Sequence, residues 1–125
     1  MLLLRDLKLV CRIPKKTLIG EGEENCIEGM SYNSARDELF FADKSNGVVR
    51  AIRVRDNDCN LRDVCRVVPK HVWSVCHMSD SDTLLVCTGK YRGNKWLVAL
   101  SRNGSGWREA QRVQTDGEGV RSVAR

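Results

Sequence analysis

The chain has 125 residues, the length of one ordinary domain with a single core. Its 42% hydrophobic and 30% charged residues make a globular composition and exclude wholesale disorder. The formal net charge of +5 permits an acidic partner, RNA included, but the basic residues are scattered and Lys15-Lys16 is their longest run.

Taken in chain order, "MLLLRDLKLVCRIP" begins apolar, but Arg5, Asp6 and Lys8 interrupt it before a signal-peptide core can form. No run approaches the roughly 18 apolar residues of a membrane span. At face value the expectation is a cytoplasmic chain without a membrane span, and it lapses if the sequence is a piece of a longer precursor. Lys8–Ile13 reads as a first strand, and "GEGEEN" (20–25) as an acidic, glycine-rich surface loop.

Two sets of four strands follow. The first is Ile27–Tyr32, Glu38–Ala42, Val48–Val54 and Arg62–Val68; the second is Val72–Met78, Thr83–Thr88, Lys95–Ser101 and Arg108–Gln114. Polar turns separate them, and Asn46-Gly47 and Asn103-Gly104 are hairpin signals because both residue types tolerate positive φ. No segment keeps a helical period. The two sets are copies. "RDELFFAD" (36–43) falls on "SDTLLVCT" (81–88) at an offset of 45, and "VRSVA" (120–124) matches "VWSVC" (72–76) as the start of a third.

The second strand of each copy, "LFFA" or "LLVC", is apolar at successive positions, so both of its faces must be covered. The fourth, "VCRVV", accepts an arginine and suits an outer strand with one wet side. Four-stranded sheets stacked face to face, repeating every 40–50 residues or so, are the blades of a β-propeller. The expected fold is therefore all-β. It comprises a strand of a preceding blade near 8–13, a blade at 27–68, a blade at 72–114 and the first strand of another at 120–125. That is an incomplete ring, since single-chain propellers close with about four to eight blades. The expectation is a fragment of a longer propeller, with a homo-oligomer that completes the ring as the alternative.

"GMSYNSARDELFFADKSNGVVRAIRV" (29–54) resembles a blade of the NHL/YWTD-like six-bladed propellers, which run from a Gly-apolar start through "LYVAD" to an Asn/Gly turn and an apolar strand. The second copy carries Cys87-Thr88 where the first has Ala42-Asp43. The resemblance implies a non-catalytic scaffold that binds proteins and has no cofactor. "IEGMSY" also resembles the Glu-Gly start of the regucalcin/gluconolactonase family, where that glutamate ligates a divalent cation such as Ca2+. This makes Glu28 a metal-ligand candidate and a metal-dependent lactonase-like hydrolase an alternative. The family's other ligands have no counterpart, because Trp73 and a basic residue near Arg121 stand in the matching positions.

RNA binding of the kind some NHL propellers show is the other alternative. Its candidate basic surface is Arg50, Arg53, Arg55, Lys90, Arg92 and Lys95, whose spacing equally suits solvated edges that prevent sheet-to-sheet pairing. No nucleophile elbow, P-loop or His-Glu-x-x-His motif is present, so an enzyme is the less favoured reading. His71 and His77 bracket a strand, and His77 falls in the register of Tyr32 in a structural role. Asp80 and Asp82 read as a solvated hairpin. Trp73 and Trp96 read as packing between blades, and Trp107 as the most exposed tryptophan. Of six cysteines none forms a C-x-x-C pair. Cys11, Cys65, Cys76 and Cys87 read as buried thiols, and Cys26 with Cys59 as the pair to oxidise if the protein is secreted.

Overall fold

The computed structural model describes residues 2–5, 8–13, 18, 27–55, 58–90, 92–104 and 106–115. Ten strands build an all-β fold among these residues. Strands β1 (Leu2–Arg5) and β2 (Lys8–Arg12) form a two-stranded antiparallel sheet. A first four-stranded sheet follows from β3 (Ile27–Asn33), β4 (Glu38–Asp43), β5 (Val48–Arg55) and β6 (Asp58–Arg66). The second comprises β7 (Val72–Met78), β8 (Thr83–Gly89), β9 (Lys95–Asn103) and β10 (Gly106–Thr115). Each is an antiparallel meander with its strands in sequence order, the form of a propeller blade.

The repetition holds at the level of register. Met30 pairs with Phe41 and Leu39 with Ile52 in the first blade, as Val75 pairs with Val86 and Leu84 with Leu100 in the second. Even the left-handed residues correspond: Asp37 (φ 55°) and Asp82 (φ 50°) each close the turn between the first two strands. Aspartate suits this place because its short polar side chain tolerates the left-handed region.

Most strand ends fall within two residues of the sequence expectation, and three departures have a physical reason. The apolar start forms β1 and pairs with β2, so Lys8–Arg12 is one arm of a hairpin. β6 begins at Asp58, not at Arg62, because β5 and β6 stay paired to Arg55↔Asp58. Backbone pairing on an outer strand needs no apolar side chains, which is why "RDNDCN" reads as a loop. Val67 lies in the link to β7, where its amide donates to Gly47 O at 2.8 Å and its side chain is buried. The expected strand at 120–125, the "GEGEEN" loop and Cys26 lie outside the described residues.

The two blades form a wedge. They meet closely where β7 lies against β3 and β4, and only slightly where β10 nears β6. The core between them joins Phe40, Ala42, Val49 and Ala51 on the forward face of the first blade to Val75, Leu84, Val86, Val98 and Leu100 on the rear face of the second. A smaller core lies behind the first blade, where Phe41, Ile52 and Val54 pack with Ile13 and Leu18. β4 is therefore covered on both faces, as its unbroken apolar run requires.

Phe40, fully buried, is the largest side chain in the interblade core. Phe40→Ala is expected to lower the unfolding free energy by about 3–5 kcal/mol. Met30→Ala, at a residue 57% exposed, should change it by less than about 0.5 kcal/mol. Urea denaturation of the two variants checks the difference.

Candidate functional site

Successive turns of an antiparallel meander fall at opposite ends, so each blade presents two rims. One rim carries the turns after β3 and β7; the other carries the turns after β4 and β8 and the β6–β7 link. The predicted basic residues are divided between them. Arg53 stands opposite Glu38 on the first rim, whereas Lys90 and Arg92 are exposed in the β8–β9 turn on the second. Arg50 lies on the rear face of the first blade, 3.1 Å from Asp43 and 3.6 Å from Asp63. Lys95 is only 4% exposed and donates to the Lys90 and Gly93 carbonyls, so it caps a turn and does not face solvent. The Arg55 side chain lies outside the described residues. The other five do not converge on one surface.

Glu28 stands at the mouth of β3, with its carboxylate 3.8 Å from Lys44 Nζ. Lys44 in turn lies over the Trp73 ring at 5.2 Å, and Lys95 approaches the same ring at 5.6 Å. His71 meets Trp73 edge-on, and the indole N–H donates to Gly89 O at 2.8 Å. This tryptophan is thus a hub on the second rim, clasped by cations from both blades. Among the described residues no group of three or more His, Cys, Asp or Glu side chains is placed to hold a metal ion.

The first rim holds a polar network that crosses between the blades. Glu38 is fully buried on β4 and accepts hydrogen bonds from Arg62 of β6 and, at 2.8 Å, from Arg102 of β9. Arg102 also bonds Asp82, with its Nε 2.5 Å from Oδ2, and lies 4.4 Å over the Trp107 ring. Asp82 Oδ1 is 2.8 Å from His77 Nε2, and the His77 ring stacks on Phe40 at 5.6 Å. Trp107 meets Phe40 edge-on from the other side. One blade supplies Glu38 and Arg62, the other Asp82, His77, Arg102 and Trp107. The sequence hides this network because the two arginines that meet Glu38 are 24 and 64 residues from it. Asp82 is thereby an ion-pair partner and not merely a solvated hairpin residue, and Trp107 is half-buried packing between blades.

The Arg102 guanidinium bonded to Asp82 holds that carboxyl at about 2, against an ordinary 3.8, overriding the partial desolvation that would raise it. The hydrogen bond from His77 acts in the same direction. Cys65, Cys76 and Cys87 are free thiols. Burial pushes the Cys65 thiol up, with Glu109 adding to the shift, which suits an unreactive side chain.

Each lateral face of the pair of blades carries an apolar patch. Met30 and Tyr32 on β3 are 57% and 54% exposed, whereas their equivalents Val75 and His77 are buried against the first blade. On the forward face of the second blade, Leu85, Leu97, Ala99, Gln111 and Val113 line a shallow cavity of about 190 Å³. The signal for both was present in the repeat, since each counterpart residue is one that the other blade covers.

Arg102→Ala is expected to cost about 3–5 kcal/mol, because it leaves the buried Glu38 carboxylate short of its interblade partner. Arg62→Ala should cost about 1 kcal/mol or less, its side chain being 38% exposed. The contribution of Asp82 is fully present above pH 3.8 and is lost as pH falls through about 2, because its folded-state value is the lower one. Thermal unfolding across that window should show a steeper acid loss for the native chain than for Asp82→Asn.

Comparison with models of known protein families, with curated proteins and with solved structures returned no match.

Proposed function

We propose that the chain is a non-catalytic interaction module built from propeller-type blades of the NHL/YWTD-like kind, and that its partner is a protein. One observation carries the reading. Met30 and Tyr32 stand more than half exposed at repeat positions whose counterparts in the second blade are buried. A large apolar side chain and an aromatic one, side by side on an inner strand, suit a face that another polypeptide covers. Tyrosine adds rigid contact area and a polar tip, here bonded to Asp37, which fixes the ring at low entropic cost.

The charges favour the same reading over RNA. Binding a phosphate backbone draws on cations free to displace counterions. Arg50, Arg62, Arg102 and Arg112 are instead engaged with carboxylates of this chain, and Lys95 with its carbonyls. These five side chains thus already serve the fold.

Photo-crosslinking from a benzoylphenylalanine placed at position 32 tests the proposal in cells. The expected product is a discrete protein adduct that is absent when the same probe stands at Asn103, an exposed residue at the end of β9. Adducts to RNA alone, or equal yields from the two positions, overturn it.

A further inference from the structure

The interface inside the chain is a template for one outside it. Its forward half is Phe40, Ala42, Val49 and Ala51; its rear half is Val75, His77, Leu84, Val86, Val98 and Leu100. Strand register assigns the counterparts. The forward face of the second blade carries Leu85, Cys87, Leu97 and Ala99 in the places of the first set. The rear face of the first blade carries Met30, Tyr32, Leu39, Phe41, Arg50 and Ile52 in the places of the second. Both faces are mainly apolar, Arg50 being paired with Asp43 and Asp63 of its own blade, and each is of the kind that the other kind covers within the chain. Phe41 and Ile52 are already met by Ile13 and Leu18, so the open part of the rear face is the β3 edge with Met30 and Tyr32.

From this continuity we propose that the occupant of each face is a second copy of the chain. The forward face of β7–β10 of one copy receives the β3 edge of the next. This deepens the interaction reading above and rests on it. The contact is specific. Within the chain His77 stacks on Phe40; between copies Tyr32 takes the place of His77 and Leu85 that of Phe40. Leu85 lines the cavity of about 190 Å³, which gives the tyrosine ring a recess to enter. Two unlike faces make the contact heterologous, so copies add head to tail and either close into a ring or extend as a chain of blades.

The repeat also sets the strength of this contact below that of the internal one. Register places Thr83 where the first blade has Glu38, and Val54 where the second has Arg102. The charged network that ties the two blades together is thus not repeated between copies, which leaves the external contact to apolar burial. Association is accordingly concentration-dependent, with copies exchanging between states.

Sedimentation velocity on the full chain with two exposed-site variants tests the proposal. Val113→Lys charges the forward face and Met30→Lys the rear face; both residues are more than half exposed, and circular dichroism verifies that each variant keeps its sheet content. The native chain should sediment as multiples of 14.1 kDa that grow with concentration. Each variant alone should be monomeric, while an equimolar mixture should give a dimer, since it joins one intact forward face to one intact rear face. A native chain that stays monomeric, a variant that self-associates as the native chain does, or a mixture that stays monomeric overturns self-association. The cross-link from position 32 separates this from failure of the underlying reading: an adduct with a different protein leaves an interaction module standing and removes only the second copy as its partner.

Discussion

The contact between the forward face of one blade and the rear face of the next is the constraint on which everything else in this molecule rests. A four-stranded meander cannot by itself cover the two apolar faces of its inner strands. Phe40 and Ala42 point one way from β4 and Phe41 the other, and all three are completely buried. Stacking a second blade on the first satisfies one side of that demand. The wedge between the sheets, close at β3 and β7 and open at β6 and β10, follows from which strands carry the apolar runs. β6 and β10 are studded with charges and need cover on one side only.

A buried carboxylate at the heart of this contact needs a physical reason, because desolvating a charge costs several kcal/mol. Glu38 meets that cost with two arginines, one from each blade, and an amide from Asn33 at 3.4 Å. Such a network adds little net stability compared with apolar side chains of the same volume. Its contribution here is alignment. Arg102 reaches Glu38 and Asp82 together only at one relative position of the blades, and His77 then lands on Phe40. The apolar surfaces supply attraction that tolerates sliding, and the ion pairs select a single register. The outward faces have Thr83 in the place of Glu38 and Val54 in the place of Arg102, and so lack this charged arrangement.

The architecture was legible in the sequence to an unusual depth because a repeat tests itself. The offset of 45 between "RDELFFAD" and "SDTLLVCT" put eight strands and their turns nearly in place. The strand ends were misread where pairing and hydrophobicity part company. Arg55 and Asp58–Asn60 continue a ladder despite their polarity, and "VV" at 67–68 leaves it despite its apolar character. The candidate sites were less legible. Lys95 has the composition of a solvated edge, yet it turns inward to cap the carbonyls of its own turn. Glu28, the sequence's metal-ligand candidate, has the Lys44 ammonium 3.8 Å from its carboxylate.

By itself the sequence determined nearly all of the strands, the four-stranded unit and the need for units to stack face to face. Those features depend on local alternation, turn chemistry and repetition, which are written residue by residue. Only the tertiary structure decided which charges neutralise one another and which apolar residues remain uncovered. Both are differences between sites that local pattern makes equivalent. Tyr32 and His77 share a register, yet one faces outward and the other rests on a phenylalanine. Whether a side chain is core or surface in a stacked repeat depends on the presence of a neighbour, and that is a property of the assembly.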